Sequence, residues 1–550
     1  MSTMFSIVEN SSRKYPNKTA LVYKENKYTY SELMKKIDVV RSFFINNTSN
    51  QDKVFLLMEN SDSWVISYFG IMGAGCICAP LGVRTSDSNI LFQLKFAQPK
   101  YIVISSKFKD KCERLELDKI AKVIVYDEII DNHDKIDNSN ENIRNNESSV
   151  HKREVELTED SYNSLIYTSG TKGIQKAILL KHKIVYNSTK NIIDYLKIRH
   201  DDIYYQILPL SHSFGLGNVH TTLYMGGTVI IADNTINLKK IINEMVENKV
   251  TFFAAVPLTL KLMVENFFED FKRLDEHLRT ICTNTGPMPT DITHRIITET
   301  KNIQFYTYYG LTEASRSSFM YFNLYPDKLK SVGKPTPNVN IKLLNHNGEI
   351  ITKANEVGEI CIIGNHTVKG YWNNEEATNK SFKQGWLHTG DMGYFDNEGF
   401  LFVTGRDDDI VNMGGEKVSL QEIDNVISKC ALVKDVMCLE QKDYEREFVI
   451  NAHVVLDDDK LNNNQEEKLS EEEIKRIILE HCKQSLDNFK IPNKILYCET
   501  LPRTDSGKTK RAFFRNQMNK ENEEFKDEER FKKNEVINKG DINGKWIWNE

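Results

Sequence analysis

The stretch Tyr167-Thr168-Ser169-Gly170-Thr171-Lys172-Gly173, running on to Lys176, is where the reading of this chain turns. An apolar lead-in, Leu165-Ile166, stops abruptly in hydroxyls and glycines and resumes as Ala177-Ile178-Leu179-Leu180. The break predicts a loop whose glycines let the backbone approach a ligand closely and whose N–H and O–H groups face anionic oxygens. Lys172 and Lys176 add positive charge beside it. The residues describe a phosphate loop suited to a triphosphate.

It is not the common phosphate loop, which needs Gly, four residues, then Gly-Lys-Ser/Thr. From Gly170 the second glycine falls on Gln175, and the run Gly507-Lys508-Thr509 has Pro502 where the first glycine should stand. Alone, a Ser/Thr/Gly/Lys cluster reads equally well as a polar turn. Its company downstream gives it meaning.

The chain has 550 residues, 40% of them hydrophobic and 27% charged, with a net charge of −6. That composition is of a soluble protein of two or more α/β domains, and its acidic balance argues against a nucleic-acid surface. Nine cysteines form no metal or redox pattern. Cys76 and Cys78 are too close for Cys-x-x-Cys and read as buried thiols of a reducing compartment. Neither His-Glu-x-x-His nor Gly-x-Ser-x-Gly occurs. Met1 to Ser11 lacks the basic start and apolar core of a secretion signal, so the cytoplasm is expected. Trp64 to Leu81 carries no charge over 18 residues. Its three glycines and Pro80 favour a buried helix running into a strand over a membrane span.

Residues 1–130 alternate a helical pattern (Ser31 to Phe44) with short apolar strands (Val54 to Met58, Tyr101 to Ser105, Lys122 to Tyr126). This spacing predicts βαβ units and a largely parallel sheet. Asp131 to Glu156 has the polar composition of a surface loop. From Ile341 to Val403, short β segments with turns at Asn347-Gly348 and Asn397-Glu398-Gly399 predict a small antiparallel or barrel-like subdomain. The charged break Gly405-Arg406-Asp407-Asp408-Asp409 follows. Beyond it a helix (Ser419 to Ser428), two strands (Val433 to Glu440, Phe448 to Leu456) and a capped helix (Ser470 to Ser485) predict a small α+β domain. The expected division is a large domain over 1–406, a break at 407–409, a small domain over 410–518 and a charged tail over 519–550.

Four further segments stand behind the phosphate loop. Leu208-Pro209-Leu210-Ser211-His212-Ser213-Phe214-Gly215 sets a histidine after a Pro-bounded turn, and Tyr309-Gly310-Leu311-Thr312-Glu313 ends a strand in an aromatic, a hydroxyl and a carboxylate. Trp386-Leu387-His388-Thr389-Gly390-Asp391 leads to Thr404-Gly405-Arg406, and Leu501-Pro502-Arg503-Thr504-Asp505-Ser506-Gly507-Lys508 lies near the end. In this order and at these intervals the five segments resemble the adenylate-forming superfamily of acyl-CoA synthetases, aryl-CoA ligases, peptide-synthetase adenylation domains and beetle luciferases. The resemblance covers roughly residues 10 to 515.

The resemblance implies a large layered α/β domain followed by a small mobile α+β domain, and a two-step reaction. A carboxylate attacks the α-phosphate of ATP, giving an acyl-adenylate and pyrophosphate, and a thiol then displaces AMP. It implies that the loop Thr168, Ser169, Gly170, Thr171, Lys172, Gly173 and Lys176 holds the β- and γ-phosphates. Thr312 would bind phosphate oxygens, and Glu313 would help hold Mg²⁺, a hard cation suited to carboxylate oxygen. Tyr309, next to Gly310, would lie against adenine; Asp391 would accept from the ribose hydroxyls, with Arg406 nearby. Lys508 would bridge the reacting oxygens, and Asp408 would be the hinge about which the small domain turns. Gly414-Gly415 would line the passage of a pantetheine thiol, which favours CoA as acceptor, and His212 would stand beside the acid.

Departures from the family pattern are local. Lys172 takes the place of Ser or Thr, Gln175 of proline and Ala177 of glycine; Asn284-Thr285 fill a place usually rich in glycine, and Asn412 replaces a lysine. Ser213-Phe214-Gly215 offers no carboxylate to pair with an amino-acid ammonium, which favours a neutral acyl or aryl acid. Arg316 reads first as a surface or ion-paired arginine and second as a recogniser of a second carboxylate. The leading reading is a CoA ligase acting on a medium or long acyl chain or a related carboxylic acid. Two alternatives stand beside it: an enzyme loading an acyl or amino acid onto a carrier-protein phosphopantetheine, and a nucleotide-binding pseudo-enzyme. Neither nucleic acid nor a transmembrane segment is expected.

Overall fold

The structure, a computed structural model, describes residues 2–131, 154–155, 157–168, 175–233, 236–286, 288–345, 347–406, 410–413, 416–443, 447–457, 469–501 and 511. Two mainly parallel sheets form the body of the large domain. The first has six strands in the order Lys122–Val125, Tyr101–Ile104, Lys53–Leu57, Ile77–Pro80, Tyr162–Thr168, Lys176–Lys181. Its first five strands are parallel and its last pair antiparallel. The expected strands are therefore present, each within one residue of the predicted ends.

The uncharged stretch from Trp64 lies in the helix Asp62–Gly73 and the central strand Ile77–Pro80, buried as the sequence predicts. Ser61 caps that helix by accepting from the Trp64 N–H. The first helical pattern becomes Tyr30–Asn47, opened by a capping box between Thr29 and Glu32. Cys76 and Cys78 are both buried. No helix among the described residues is long and apolar enough to cross a membrane.

The second sheet has nine strands, running from Lys334–Pro335 through Ala314–Tyr321, Gln304–Leu311, Thr280–Thr283, Phe252–Ala255, Ile203–Gln206, Thr228–Ile231 and Thr19–Tyr23 to Asn26–Thr29. Six of its seven inner strands are parallel, and most of their residues are buried, as suits strands covered on both faces. A five-stranded antiparallel sheet, built from Val339–Leu344, Gly358–Gly364, Phe382–Lys383, Trp386–Phe395 and Leu401–Arg406, occupies the region read as a small β subdomain.

The small C-terminal domain has its own core. A hairpin (Ile410–Met413, Glu416–Ser419) precedes the helix Leu420–Ile427. A three-stranded sheet (Val433–Asp443, Glu447–Leu456, Lys494–Tyr497) and the helix Glu471–Ser485 complete it. Ser470 and Glu473 form the expected capping box. The tail over 519–550 lies outside the described residues.

Candidate active site

A cleft of about 1310 Å³ opens where the carboxyl ends of the parallel strands meet the small β sheet, the usual place for a ligand in open α/β sheets. Thr168, Lys176, His212, Tyr309, Gly310, Thr312, Glu313 and Asp391 all line it. These residues are scattered over more than two hundred positions in the chain, and three separate pieces of backbone bring all of them but His212 together.

The first piece is the antiparallel pair Tyr162–Thr168 and Lys176–Lys181, with Thr168 opposite Lys176 at its end. Ser169, Gly170, Thr171, Lys172 and Gly173 lie outside the described residues. The Lys176 ammonium stands 4.6 Å from the centre of the Tyr371 ring. The Tyr371 hydroxyl in turn donates to Glu313 Oε1 at 2.8 Å. A cation, a phenol and a carboxylate thus stand in line along one wall.

The second piece is the turn at Thr312-Glu313, between Gln304–Leu311 and Ala314–Tyr321. Pairing slips between Tyr309 and Leu311, and Gly310 sits in that irregularity. A Cβ on Gly310 would fall 2.4 Å from the Arg316 backbone nitrogen, so the close approach needs glycine. The Val368 N–H donates to the Glu313 carbonyl at 2.9 Å and ties the turn to the neighbouring segment.

The third piece is the strand Trp386–Phe395. The Tyr309 hydroxyl donates to Asp391 Oδ2 at 2.6 Å, joining the large sheet to the small one. Asp391 lies opposite Arg406 in the strand pair, and its N–H donates to Thr389 Oγ1 at 3.0 Å. The glycine-poor stretch Asn284-Thr285 also lines the cleft, and Thr285 takes a φ of +89°. A β-branched side chain is strained there, and glycine would not be.

The small domain supplies the remaining wall, through Glu416, Asp487 and Lys490 among others. His212 Nε2 and Glu416 Oε1 are 3.0 Å apart across the two domains. The negative charge of Glu416 raises the His212 pKa against the opposing effect of desolvation. Lys490 is buried between Glu422 and Asp487, at 3.0 Å from each. Asp487 also accepts from the Ser86 N–H of the large domain, and Ser88 Oγ donates to the Ser485 carbonyl at 3.0 Å. Gly414, Gly415, Asp408 and Lys508 lie outside the described residues, as does the side chain of Arg406.

The sequence did not single out Glu416, Tyr371, Asp487 or Lys490. Glu416 had a local signal, since it follows Gly414-Gly415 directly. Tyr371 had none, because its partner Glu313 lies 58 residues away. The first reading of Arg316 is corrected. It is 2% exposed and, among the described residues, has no carboxylate partner, so it is neither a surface nor an ion-paired arginine.

Residues 8–372 match the family model of the AMP-binding enzyme, and residues 422–508 match that of the AMP-binding enzyme C-terminal domain. The chain belongs to the AMP-binding enzyme family. It is 27% identical to a 2-succinylbenzoate–CoA ligase of Bacillus subtilis, over 92% of this chain and 95% of the relative. It is also 27% identical to a long-chain-fatty-acid–CoA ligase of Mycobacterium tuberculosis, over 85% and 88% respectively. The o-succinylbenzoate CoA synthetase of Bacillus subtilis, bound to a product analogue, superimposes with a TM-score of 0.79 at 25% identity. That match covers 92% of this chain and 97% of the other. The same enzyme in complex with AMP gives 0.66 at 26% identity and the same coverage, so the arrangement described here lies nearer the product-analogue form.

This member of the family is an ATP-dependent, AMP-forming acid–thiol ligase of the acyl-CoA synthetase type, using ATP, Mg²⁺ and CoA. The pseudo-enzyme alternative is thereby set aside. Relatives of equal identity are named for different acids.

Proposed function

We propose that the chain activates an acyl or aryl carboxylic acid as its adenylate and passes the acyl group to CoA. The observation that carries this reading is the meeting of Thr168, Lys176, Thr312, Glu313 and Asp391 in one cleft whose far wall is the small domain. A carboxylate oxygen attacks the α-phosphorus, and the bond to pyrophosphate breaks with its electron pair leaving on pyrophosphate. The CoA thiolate then attacks the acyl carbon, and the carbon–oxygen bond to AMP breaks.

The first step crowds negative charge on phosphorus, and positioned cations and donors offset it. Thr168 and Lys176, with Ser169 to Gly173 between them, are assigned to the β- and γ-phosphates. Thr312 is assigned to phosphate oxygens, Tyr309 with Gly310 to adenine, and Asp391 with Arg406 to ribose. Lys508 is assigned to the reacting oxygens. A carboxylate in the cleft with one oxygen held by Tyr371 suits a hard divalent cation, so Glu313 is assigned to Mg²⁺, which supplies neutralisation of phosphate charge.

The second step needs the thiol admitted beside His212. Gly414 and Gly415, which immediately precede Glu416, are assigned to that passage, and Asp408 to the hinge between a domain at 1–406 and one at 410–518. Docking of Glu416 on His212, together with the nearer match to the product-analogue form, supports reading the present arrangement as the thiol-step one. The cytoplasm is the compartment proposed.

Pyrophosphate release with ATP and Mg²⁺ across fatty, aryl and amino acids, with and without CoA, tests the reading. Acid-dependent release stimulated by CoA is the expected result. Release unaffected by CoA but stimulated by a carrier protein would move the acceptor to phosphopantetheine on that carrier.

A further inference from the structure

Behind the wall of the cleft formed by Phe214, Tyr308 and Ser315 lies the guanidinium of Arg316. Nη1 donates to the Ser213 carbonyl at 3.1 Å and to Ser315 Oγ at 2.7 Å. Nη2 donates to the carbonyls of Ser213 and Phe214 at 3.1 and 3.2 Å. Among the described residues these acceptors offer hydrogen bonds but no opposite charge. A buried charge left without an opposite charge is costly, and partial charges on two carbonyls recover only part of that cost.

The backbone is shaped to put the group there. Arg316 itself has φ +61°, in the left-handed region that non-glycine residues rarely occupy, opposite the irregularity at Gly310. Strain of this kind persists where the surrounding structure over-determines it, and it clusters at ligand sites. The head group rests over Gly217, where any Cβ would come within 2.6 Å of it. It therefore occupies the space beside Gly217 on the helix Ser213–Met225.

Ser315 connects this charge to the cleft. Ser315 lines the cleft, and its hydroxyl accepts from Arg316, which leaves its own hydrogen to donate to something else. A donor hydroxyl polarised from behind by a guanidinium suits an anionic oxygen. Resting on the ligase reading, we propose that Ser315 and Arg316 form the distal subsite of the acid pocket. The acid is then a compact one carrying a second carboxylate. That carboxylate accepts from Ser315 and supplies the counter-charge that Arg316 lacks among the described residues. Arg316 acts through Ser315, as a positioning and specificity residue.

The test compares matched acids in the full-length protein: adipate with hexanoate, glutarate with valerate, and phthalate with benzoate, with palmitate as the long-chain arm. Each is assayed for CoA-stimulated pyrophosphate release in the wild type, Arg316→Met and Arg316→Lys. A hydrogen bond to a charged group corresponds to a factor of about ten to one hundred. In at least one pair the wild type should favour the dicarboxylate by about that factor in kcat/KM. Arg316→Met should bring the ratio close to parity, and Arg316→Lys should keep most of it. Should Arg316→Met fail to fold, the wild-type ratios and Arg316→Lys decide. A wild type that favours the monocarboxylate in every pair, or palmitate over all, overturns the proposal and leaves the ligase reading standing. So does an Arg316→Met that keeps the ratio. No acid-dependent pyrophosphate with any acid overturns both.

Discussion

His212 and Glu416, 204 residues apart, meet at 3.0 Å between the large domain and the small one. His212 follows the Pro-bounded turn before the helix Ser213–Met225, and Glu416 opens the second strand of the hairpin after the domain junction. His212 is half exposed and Glu416 a quarter exposed, so the pair contributes about 1 kcal/mol at most, or about fivefold in a docking equilibrium. Glu416→Gln should therefore slow thioester formation from a supplied acyl-adenylate by up to about fivefold while leaving pyrophosphate release nearly unchanged. Separate assays of the two half-reactions check this. Equal losses in both would remove the contact from the thiol step.

The same pair sets a pH window. Glu416 raises the His212 pKa above its ordinary value of about 6.5. Below about pH 6.5 the histidine holds its proton docked or undocked, and the pair contributes in full. As pH rises through the raised value the proton leaves and the contribution is lost. Glu416 sets the acid edge: desolvation pushes its pKa up, but His212, Lys490 and Arg84 outweigh that and hold it below the usual carboxylate range. Its contribution is lost only as pH falls through that lowered value. The ratio of wild type to Glu416→Gln in thioester formation should fall toward one from mildly acid to alkaline pH. A ratio that climbs with pH would contradict the sign.

The roles proposed for Lys508 and Asp408 are tested by separating the two half-reactions from the other side. Lys508→Ala should lower adenylate formation by about a hundredfold or more, the scale of losing one charge-stabilising group. Thioester formation from a supplied adenylate should survive. Asp408→Pro, by stiffening the junction, should impair the thiol step more than adenylation. Single-turnover measurements of each step check both. Parallel loss of the two steps in Lys508→Ala would take the lysine out of its assigned role.

Much of this was legible in the sequence for a local reason. The strand Tyr162–Thr168 and its partner are apolar runs broken by a glycine-rich loop, and Thr312-Glu313 ends a strand, so each motif carries its own backbone signal. What could not be read is what two distant segments do together. The Tyr309–Asp391 hydrogen bond joins separate sheets, and the His212–Glu416 pair depends on how two domains dock. Arg316 was misread because charge normally signals surface. Only the irregularity at Gly310 shows why the side chain turns inward.

Tyr371 tests the line from Lys176 to Glu313. Its hydroxyl holds Glu313 Oε1 at 2.8 Å, and outer partners of metal-ligating carboxylates change metal affinity by about tenfold to a hundredfold. Tyr371→Phe should raise the Mg²⁺ concentration for half-maximal pyrophosphate release by about tenfold, and Glu313→Gln by more. A Mg²⁺ titration at fixed ATP reads both. An unchanged midpoint in Glu313→Gln would send the cation to another residue.

Thr285 gives a prediction of the opposite sign, a gain. Its φ of +89° lies where a β-branched residue is disfavoured by about 1–2 kcal/mol and glycine is not. Glycine also gives the unfolded chain more freedom, which returns part of that difference. Thr285→Gly should therefore stabilise the large domain by up to about 1 kcal/mol, visible as a higher midpoint in urea. Because Thr285 lines the cleft beside Asn284, the strain is also positioned to shape the site. Relieving it should lower the affinity for ATP or acid even as the midpoint rises, the trade expected where strain is held for function. Calorimetric titration of Thr285→Gly with ATP reads that cost. A higher midpoint with unchanged affinities would make the strain incidental, and a lower midpoint would show that the threonine side chain has contacts worth more than the strain.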